Sequence, residues 1–480
     1  MDKKGRFDNM IYFTHTDLYQ LNMGLSYFNE GIHEKEATFE VYFRNAEDLK
    51  GHKIFAGLEK IIDVVNNFKI TEQELDYLRR TLNYPEDYLE VLKNLSFSGN
   101  IRAMKEGEVC YFSEPLLIMR APLLEAQLLE TVILNIINYQ TLIASKASSI
   151  SIVAKGDTLL EFGARRSYDT EAALYGARSA IIGGFHATSL VSAGMKFNLP
   201  ISGTHAHSFV LALDSEYEAF KAYANSHKDV TFLIDTYNVL ESGIINAMQV
   251  AREYGDRINF NAVRLDSGDL AFYSKKVREI LDENGFTDVK IVASSDLDAE
   301  TILHLKSQGA EIDVWGVGTK LVSPTKPSSL GCVYKLVNIN GKDVIKISGN
   351  VNKVTMPGIK NVYRLIDKVT GKAKGDIITL KSETLEGEYT NIYNQFNQKY
   401  KRRLTTVMLK PLLIDIFVDG VLKHNPSTSD VINYAKESKS EFWDEHLRFM
   451  NPETYYISFS EKANNLKKKL LKEHNADRDN

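Results

Sequence analysis

Between Gly156 and Lys320 the chain repeats one pattern: a short apolar run, a polar turn, then a helical stretch. The apolar runs occupy residues 158–162, 200–202, 230–234, 261–265, 290–293 and 313–317, with starts about 23 to 42 residues apart. A tight hairpin cannot join parallel strands. The connection needs a dozen or more residues, usually a helix, and this spacing supplies one each time. Six such units in series predict an α/β fold, either a β/α barrel or a doubly wound sheet. The flanks differ. Thr16-Asp17 reads as a helix start, with Leu18, Leu21, Leu25 and Phe28 at helical spacing behind it. Residues 38–44 alternate as a strand, and residues 54–68 read as an amphipathic helix. Past the repeated pattern the chain turns mixed, with a strand-like run at 412–418 and a Lys-rich final helix. We expect an N-terminal α/β domain over 1–125, a β/α-barrel catalytic domain over 126–335 and a mixed C-terminal region over 336–480.

Composition excludes several classes. With 58 Lys+Arg against 63 Asp+Glu, the formal charge of −5 gives no footprint for nucleic acid. Cys110 and Cys332 are the two cysteines of the sequence, too few for a disulfide framework or a Cys-based structural metal site. The opening MDKKGRFDNM is polar and unlike a secretory leader. The longest apolar stretch, 122–150, is broken by Glu125, Gln127, Glu130, Asn135, Asn138 and Lys146, so it reads as a buried helix and not a membrane span. A cytoplasmic, multi-domain protein is expected, without nucleic-acid or membrane partners.

In parallel β/α folds, chemistry gathers where the loops leave the carboxyl ends of the strands. Here those positions carry Glu161-Phe162-Gly163-Ala164-Arg165-Arg166, Gly203-Thr204-His205-Ala206-His207-Ser208, Asp235-Thr236, Arg264-Leu265-Asp266-Ser267-Gly268-Asp269, Ser294-Ser295-Asp296 and Gly316-Val317-Gly318-Thr319-Lys320. Any one of them could be an ordinary strand-to-helix turn, because Gly, Ser and Asp favour caps for backbone reasons alone. Six polar turns on one rim exceed what capping requires. Gly316-x-Gly318-Thr319, with Ser294-Ser295 one unit earlier, suits a phosphate monoester: backbone N–H groups and hydroxyls donate, and a helix start follows. It is not a Walker loop. Asp266 and Asp269, near Asp235 and Asp296, can hold Mg²⁺ through carboxylates and water. Arg165, Arg166 and Arg264 supply forks for carboxylate or phosphate, although each could be a plain ion pair.

His205-Ala206-His207 admits a second reading, since His-x-His at a strand end opens the binuclear metallohydrolase sites of barrel folds. Those sites need further histidines on later strands. His227 precedes a strand and His304 sits inside a helical pattern, so the set stays incomplete. A general base, a nucleophile and a satisfied core histidine remain open for the pair.

As an ordered set, Thr16-Asp17-Leu18-Tyr19-Gln20, Glu161-Phe162-Gly163-x-Arg165-Arg166, Gly203-Thr204-x-Ala206-His207-Ser208, Arg264-Leu265-Asp266-Ser267-Gly268-Asp269-Leu270 and Gly316-x-Gly318-Thr319 resemble the nicotinate phosphoribosyltransferases, type II phosphoribosyltransferases of NAD biosynthesis. The resemblance implies an irregular β/α barrel with an N-terminal α/β domain over its mouth. It implies an ATP-coupled reaction, of the kind classed with ligases, in which nicotinate and phosphoribosyl pyrophosphate give nicotinate mononucleotide and pyrophosphate. By the family pattern His207 is phosphorylated by ATP. Tyr19 would stack on the pyridine ring in the partner subunit's site, Phe162 on its other face, with Arg165, Thr204 and Arg264 holding nicotinate. Ser294, Gly318, Thr319 and Arg166 would hold the phosphoribosyl phosphates, and Asp296 would lie near the ribose hydroxyls. Asp266 and Asp269 would serve Mg²⁺ and pyrophosphate, in a homodimer with shared active sites. Nicotinamide-specific relatives place an acid near the carboxamide. The matching segment here, Phe185-His186-Ala187-Thr188-Ser189, has none, which favours a carboxylate substrate.

Overall fold

A computed structural model describes residues 13–44, 51–349, 353–383, 393–394 and 407–475. The chain divides into two compact units. One comprises Met1–Leu142, Ser329–His446 and Pro452–Asn480, and the other Ile143–Ser328 with Leu447–Asn451. The three successive regions expected from the sequence therefore become two, because the first and last stretches of the chain share sheets.

In the second unit, six strands form one parallel sheet in the order Ala187–Thr188, Thr158–Glu161, Val314–Val317, Lys290–Ser294, Asn259–Leu265, Asp229–Leu233. The sheet curls as a half-barrel. Five of its strands lie within two residues of the expected runs. The exception is the second. Residues 200–202 form a single parallel bridge, Ile201 to Thr188, and the strand in that place is the two-residue Ala187–Thr188. Its backbone still uses the bridge, Thr188 N–H donating to Pro200 O and Ser202 N–H to Thr188 O.

Side-chain alternation along the strands decides what lies where. Leu159, Val263, Leu265, Ile291, Ala293, Trp315 and Val317 are buried. The alternate set, Leu160, Ala187, Ala262, Val292 and Val314, forms a separate apolar cluster with Phe162 against it. Two residues further along the strands, the same alternate face carries Phe162, Arg264, Ser294 and Gly316. A polar layer thus stands directly above an apolar floor, at the carboxyl ends of the strands.

In the first unit, an antiparallel sheet of seven strands runs Lys342–Asp343, Cys332–Ile339, Glu36–Phe43, Leu117–Pro122, Asn100–Met104, Leu413–Val418, Val421–Leu422. A second sheet of five runs Tyr393–Asn394, Ile457–Phe459, Ala373–Leu380, Lys360–Asp367, Val407–Pro411. The N-terminal helix is Leu18–Asn29, and Gln20 Oε1 accepts the Asp17 N–H as its cap at 2.9 Å. The helix expected over 54–68 is shorter, Leu58–Asn66, because Gly57 takes φ +109° and a strand, Lys53–Ile54, precedes it. The apolar stretch from 122 becomes Leu123–Leu128 and then Glu130–Ala154, and no helix of the described residues is long and apolar enough to cross a membrane. Two charged clusters lie inside this unit. Lys360 Nζ donates to Glu40 Oε2 at 2.7 Å and to the carbonyls of Met356 and Gly358. Arg364, fully buried, bridges Glu108 at 2.5 Å and Asp376 at 3.0 Å.

Candidate active site

Arg264 is the hub of the half-barrel's polar layer. Its Nε donates to Ser294 Oγ at 2.8 Å, Nη1 to Thr204 Oγ1 at 2.9 Å and Nη2 to Asp266 Oδ1 at 3.0 Å. Its guanidinium carbon lies 5.5 Å from the centre of the Phe162 ring. Three turns from three strand ends are tied to one fork, whose charge-assisted bonds are roughly twice as strong as neutral ones. Ser294 Oγ also donates to Asp266, which fixes that carboxylate from two sides.

His207 opens the short helix His207–Leu211 and is 39% exposed at its side chain. Nδ1 lies 3.1 Å from Thr236 Oγ1. Nε2 faces two carboxylates, Asp235 Oδ1 at 3.9 Å and Asp266 Oδ2 at 3.8 Å. Asp235 is buried, and its Oδ2 accepts the Asp266 N–H at 2.9 Å and the Ser267 hydroxyl at 2.6 Å. Its other oxygen, Oδ1, is buried without a hydrogen-bond partner. A buried unsatisfied acceptor is costly, and this one is turned toward an imidazole.

His205 settles differently from its neighbour. It is buried among Phe209, Phe220 and Tyr223, and its Nε2 accepts the Leu233 N–H at 3.2 Å. Ile234 N–H bonds across to Arg264 O, so by strand alternation the Leu233 N–H belongs to the sheet's open edge. The imidazole seals that donor, and burial pushes its pKa down to about 4. His205 is a core histidine, with Nε2 engaged by the backbone and Nδ1 buried without a hydrogen-bond partner. Among the described residues no group of three or more His, Cys, Asp or Glu side chains forms a metal cage, so the binuclear metallohydrolase reading of His205 and His207 falls.

Phe162 has a shaped seat. Its N–H donates to Val317 O at 2.8 Å, and a Cβ on Gly316 would lie 2.6 Å from its ring. Glycine at 316 is therefore a matter of space beneath an aromatic ring. Gly318 and Thr319 begin the next turn, and a Cβ on Gly318 would come to 3.1 Å from Phe162 O. Between these loops Ser295 and Asp296 take φ +104° and +34°. Such conformations cost about 1–3 kcal/mol each in residues with a Cβ and gather at working sites.

The structure brings Phe162, Thr204, His207, Arg264, Asp266 and Ser294 into one network. Arg165 and Arg166 sit exposed on the Ala164–Arg166 turn, and Asp296 is exposed on the strained loop. Asp269 caps Leu270–Glu283, its Oδ1 accepting the Phe272 N–H at 3.0 Å. Tyr19 lies in the other unit, 47% exposed on the N-terminal helix. Its phenol is pushed up to about 12 by burial and the neighbouring Glu130 carboxylate. Sequence reasoning gave Asp235 only a metal-holding part and gave Thr236 none. Their signal was the Asp-Thr pair ending the apolar run at 230–234.

Family models for the N-terminal and C-terminal domains of nicotinate phosphoribosyltransferase match residues 14–138 and 359–467. A nicotinate phosphoribosyltransferase of Bacillus subtilis (strain 168) is 50% identical over 453 residues, covering 93% of this chain and 92% of the relative. Another from Caenorhabditis elegans is 33% identical over 95% of this chain and 92% of its own. The crystal structure of human nicotinic acid phosphoribosyltransferase superposes with a TM-score of 0.84 at 28% identity, covering 95% of this chain and 99% of that one. Near-complete coverage at these identities, together with the half-barrel site, establishes that the chain belongs to the nicotinate phosphoribosyltransferase family.

Proposed function

We propose that the chain, a nicotinate phosphoribosyltransferase acting in NAD biosynthesis, couples its reaction to ATP through a phosphohistidine at His207. The observation that carries this reading is the pairing of one imidazole edge with Asp235 and Asp266 and the other with Thr236. Two carboxylates facing Nε2 favour a proton there, which leaves the lone pair on Nδ1, where it accepts the Thr236 hydroxyl until that hydroxyl turns away. A nitrogen so prepared is a competent nucleophile toward a γ-phosphoryl group: the N–P bond forms, the P–O bond to ADP breaks, and Asp235 balances the charge on the ring.

For the transfer itself, nicotinate and phosphoribosyl pyrophosphate give nicotinate mononucleotide and pyrophosphate. We assign Phe162 to the pyridine face, and Arg165, Thr204 and Arg264 to the ring and its carboxylate. Arg166, Ser294, Asp296, Gly318 and Thr319 are assigned to the phosphoribosyl group. Positive charge developing at C1′ and negative charge on the departing pyrophosphate make positioning and charge stabilisation the main work. The donor set suits Mg²⁺, which takes one or two carboxylates and completes its shell with substrate oxygens. Asp269 spends one oxygen on its cap, and Asp266 directs only Oδ1 to Arg264 and Ser294. These two would hold the ion, which when bound neutralises phosphate oxygens. Both cysteines are free thiols, in keeping with a reducing cytoplasm. A homodimer with shared sites is supported by exposed Val191, Met195, Ile201 and Leu211 on the half-barrel unit, and by exposed Leu18 and Tyr19 on the other.

The test is nicotinate mononucleotide formation with and without ATP, with nicotinamide and quinolinate in parallel. Product from nicotinate, strongly enhanced by ATP, is expected. Equal yields with and without ATP would remove the phosphohistidine step.

A further inference from the structure

Glu161 is 1% exposed at the carboxyl end of Thr158–Glu161, and no cation pairs with it among the described residues. A desolvated carboxylate with no counter-charge is expensive, and burial pushes its pKa up. What it does in return is specific. Oε2 accepts the Thr188 hydroxyl at 2.6 Å, and Oε1 accepts the Gly163 N–H. Its backbone carbonyl accepts the Ser189 N–H at 2.9 Å. Thr188 Oγ1 in turn accepts the Leu190 N–H at 3.0 Å, which fixes the entry to Val191–Phe197.

Two loops are thereby joined. One is Phe162–Gly163–Ala164–Arg165, whose aromatic ring sits under Arg264. The other is Thr188–Ser189, the segment where an acid would mark a carboxamide substrate and none stands. We infer that Glu161 is a positioning residue that sets the distance between the ring-stacking loop and the Thr188–Ser189 loop, and through it the preference for nicotinate over nicotinamide. The inference rests on the nicotinate reading above. Glu161 acts through its neighbours, since it is buried and each of its oxygens is engaged within the fold. A carboxylate is needed because each of its two oxygens must accept, whereas an amide offers one acceptor.

The experiment compares Glu161→Gln, Thr188→Val and Thr188→Ser with the parent enzyme. Readouts are KM for nicotinate, KM for phosphoribosyl pyrophosphate, kcat, and the ratio of nicotinate to nicotinamide turnover. A lost hydrogen bond to a charged group corresponds to about a tenfold change or more. Glu161→Gln and Thr188→Val should raise KM for nicotinate by about that factor and lower the nicotinate-to-nicotinamide ratio. KM for phosphoribosyl pyrophosphate should stay put, and Thr188→Ser, which keeps the hydroxyl, should restore the parent values. If Glu161→Gln does not fold, the Thr188→Val and Thr188→Ser pair reads the same contact from its other end. Unchanged nicotinate KM and unchanged selectivity in folded variants, with only thermal stability lowered, would overturn the inference. A parent enzyme that turns over no nicotinate at all would instead overturn the functional reading on which it rests.

Discussion

His207 and His205 stand two residues apart and face opposite tasks. One imidazole lies between a hydroxyl and two carboxylates, and the other is a buried acceptor for a backbone N–H. His207→Asn should abolish ATP hydrolysis and the acid-labile phosphoenzyme while circular dichroism and melting stay close to those of the parent, because the ring is partly exposed. His205→Asn should do the reverse, lowering the melting temperature before it touches the phosphoenzyme. Gly316→Ala tests the seat of Phe162. The added methyl would fall 2.6 Å from the ring, so ring or backbone must move, and nicotinate KM should rise by about tenfold, as for other overpacked sites costing about 1–3 kcal/mol. None of these outcomes was fully legible in the sequence. The residue types at the rim were, since Arg264, Asp266, His207 and Ser294 all lie in short motifs. Asp235 and Thr236 were not, because their meaning depends on which strand end lies beside which, a relation created by the sheet order.

At the scale of elements, the strand runs near 158, 230, 261, 290 and 313 were readable because a parallel strand buried on both faces needs a nearly continuous apolar run. The strand Ala187–Thr188 was hidden for the same reason: two residues cannot display a period, and Pro200-Ile201-Ser202 offered a better-looking run that makes one bridge. The buried charge clusters of the first unit were equally silent, since Glu40, Lys360, Glu108 and Arg364 are distant in sequence. They make two predictions. Lys360→Met leaves Glu40 buried and unpaired, and should cost about 3–5 kcal/mol in chemical denaturation. Burial alone would push the Glu108 carboxyl up, but Arg364, Lys410 and the Ser438 and Tyr434 hydroxyls hold it down at about 2. A depressed carboxylate stabilises the fold above its unfolded pKa and loses that contribution as pH falls toward its folded one. Between about pH 4.5 and pH 2, unfolding free energy should therefore drop by an amount on the order of 3 kcal/mol. Glu108→Gln should flatten that part of the pH–stability curve.

For the whole molecule, the expected α/β class and barrel-like character hold, whereas the expected order of three successive domains gives way to two units, the first assembled from both ends of the chain and the second nearly continuous. Nothing local in the sequence announces that residues 36–43 and 332–339 are neighbours, because strand pairing over such a separation leaves no short-range pattern. Tyr19 belongs to the unit assembled from both ends of the chain and Thr319 to the half-barrel. If the phenol serves a neighbouring subunit's site, mixing inactive Tyr19→Ala and Thr319→Ala enzymes and allowing subunits to exchange should restore part of the activity. No recovery after proven exchange would favour a site completed within one chain.

The discontinuity also has a consequence for synthesis on the ribosome. Glu36–Phe43 pairs on one side with Cys332–Ile339, so that edge of the sheet stays open while about 290 residues are still to be made. At about 5–20 residues per second, the wait is about 15–60 s. During that interval the half-barrel unit, nearly continuous from Ile143 to Ser328, emerges with its strands complete and can fold, while an apolar strand edge made earlier remains uncovered. The nascent chain thus finishes its chemistry-bearing half before its opening half, and the exposed edge is the place where a chaperone would be needed or where nascent chains would associate.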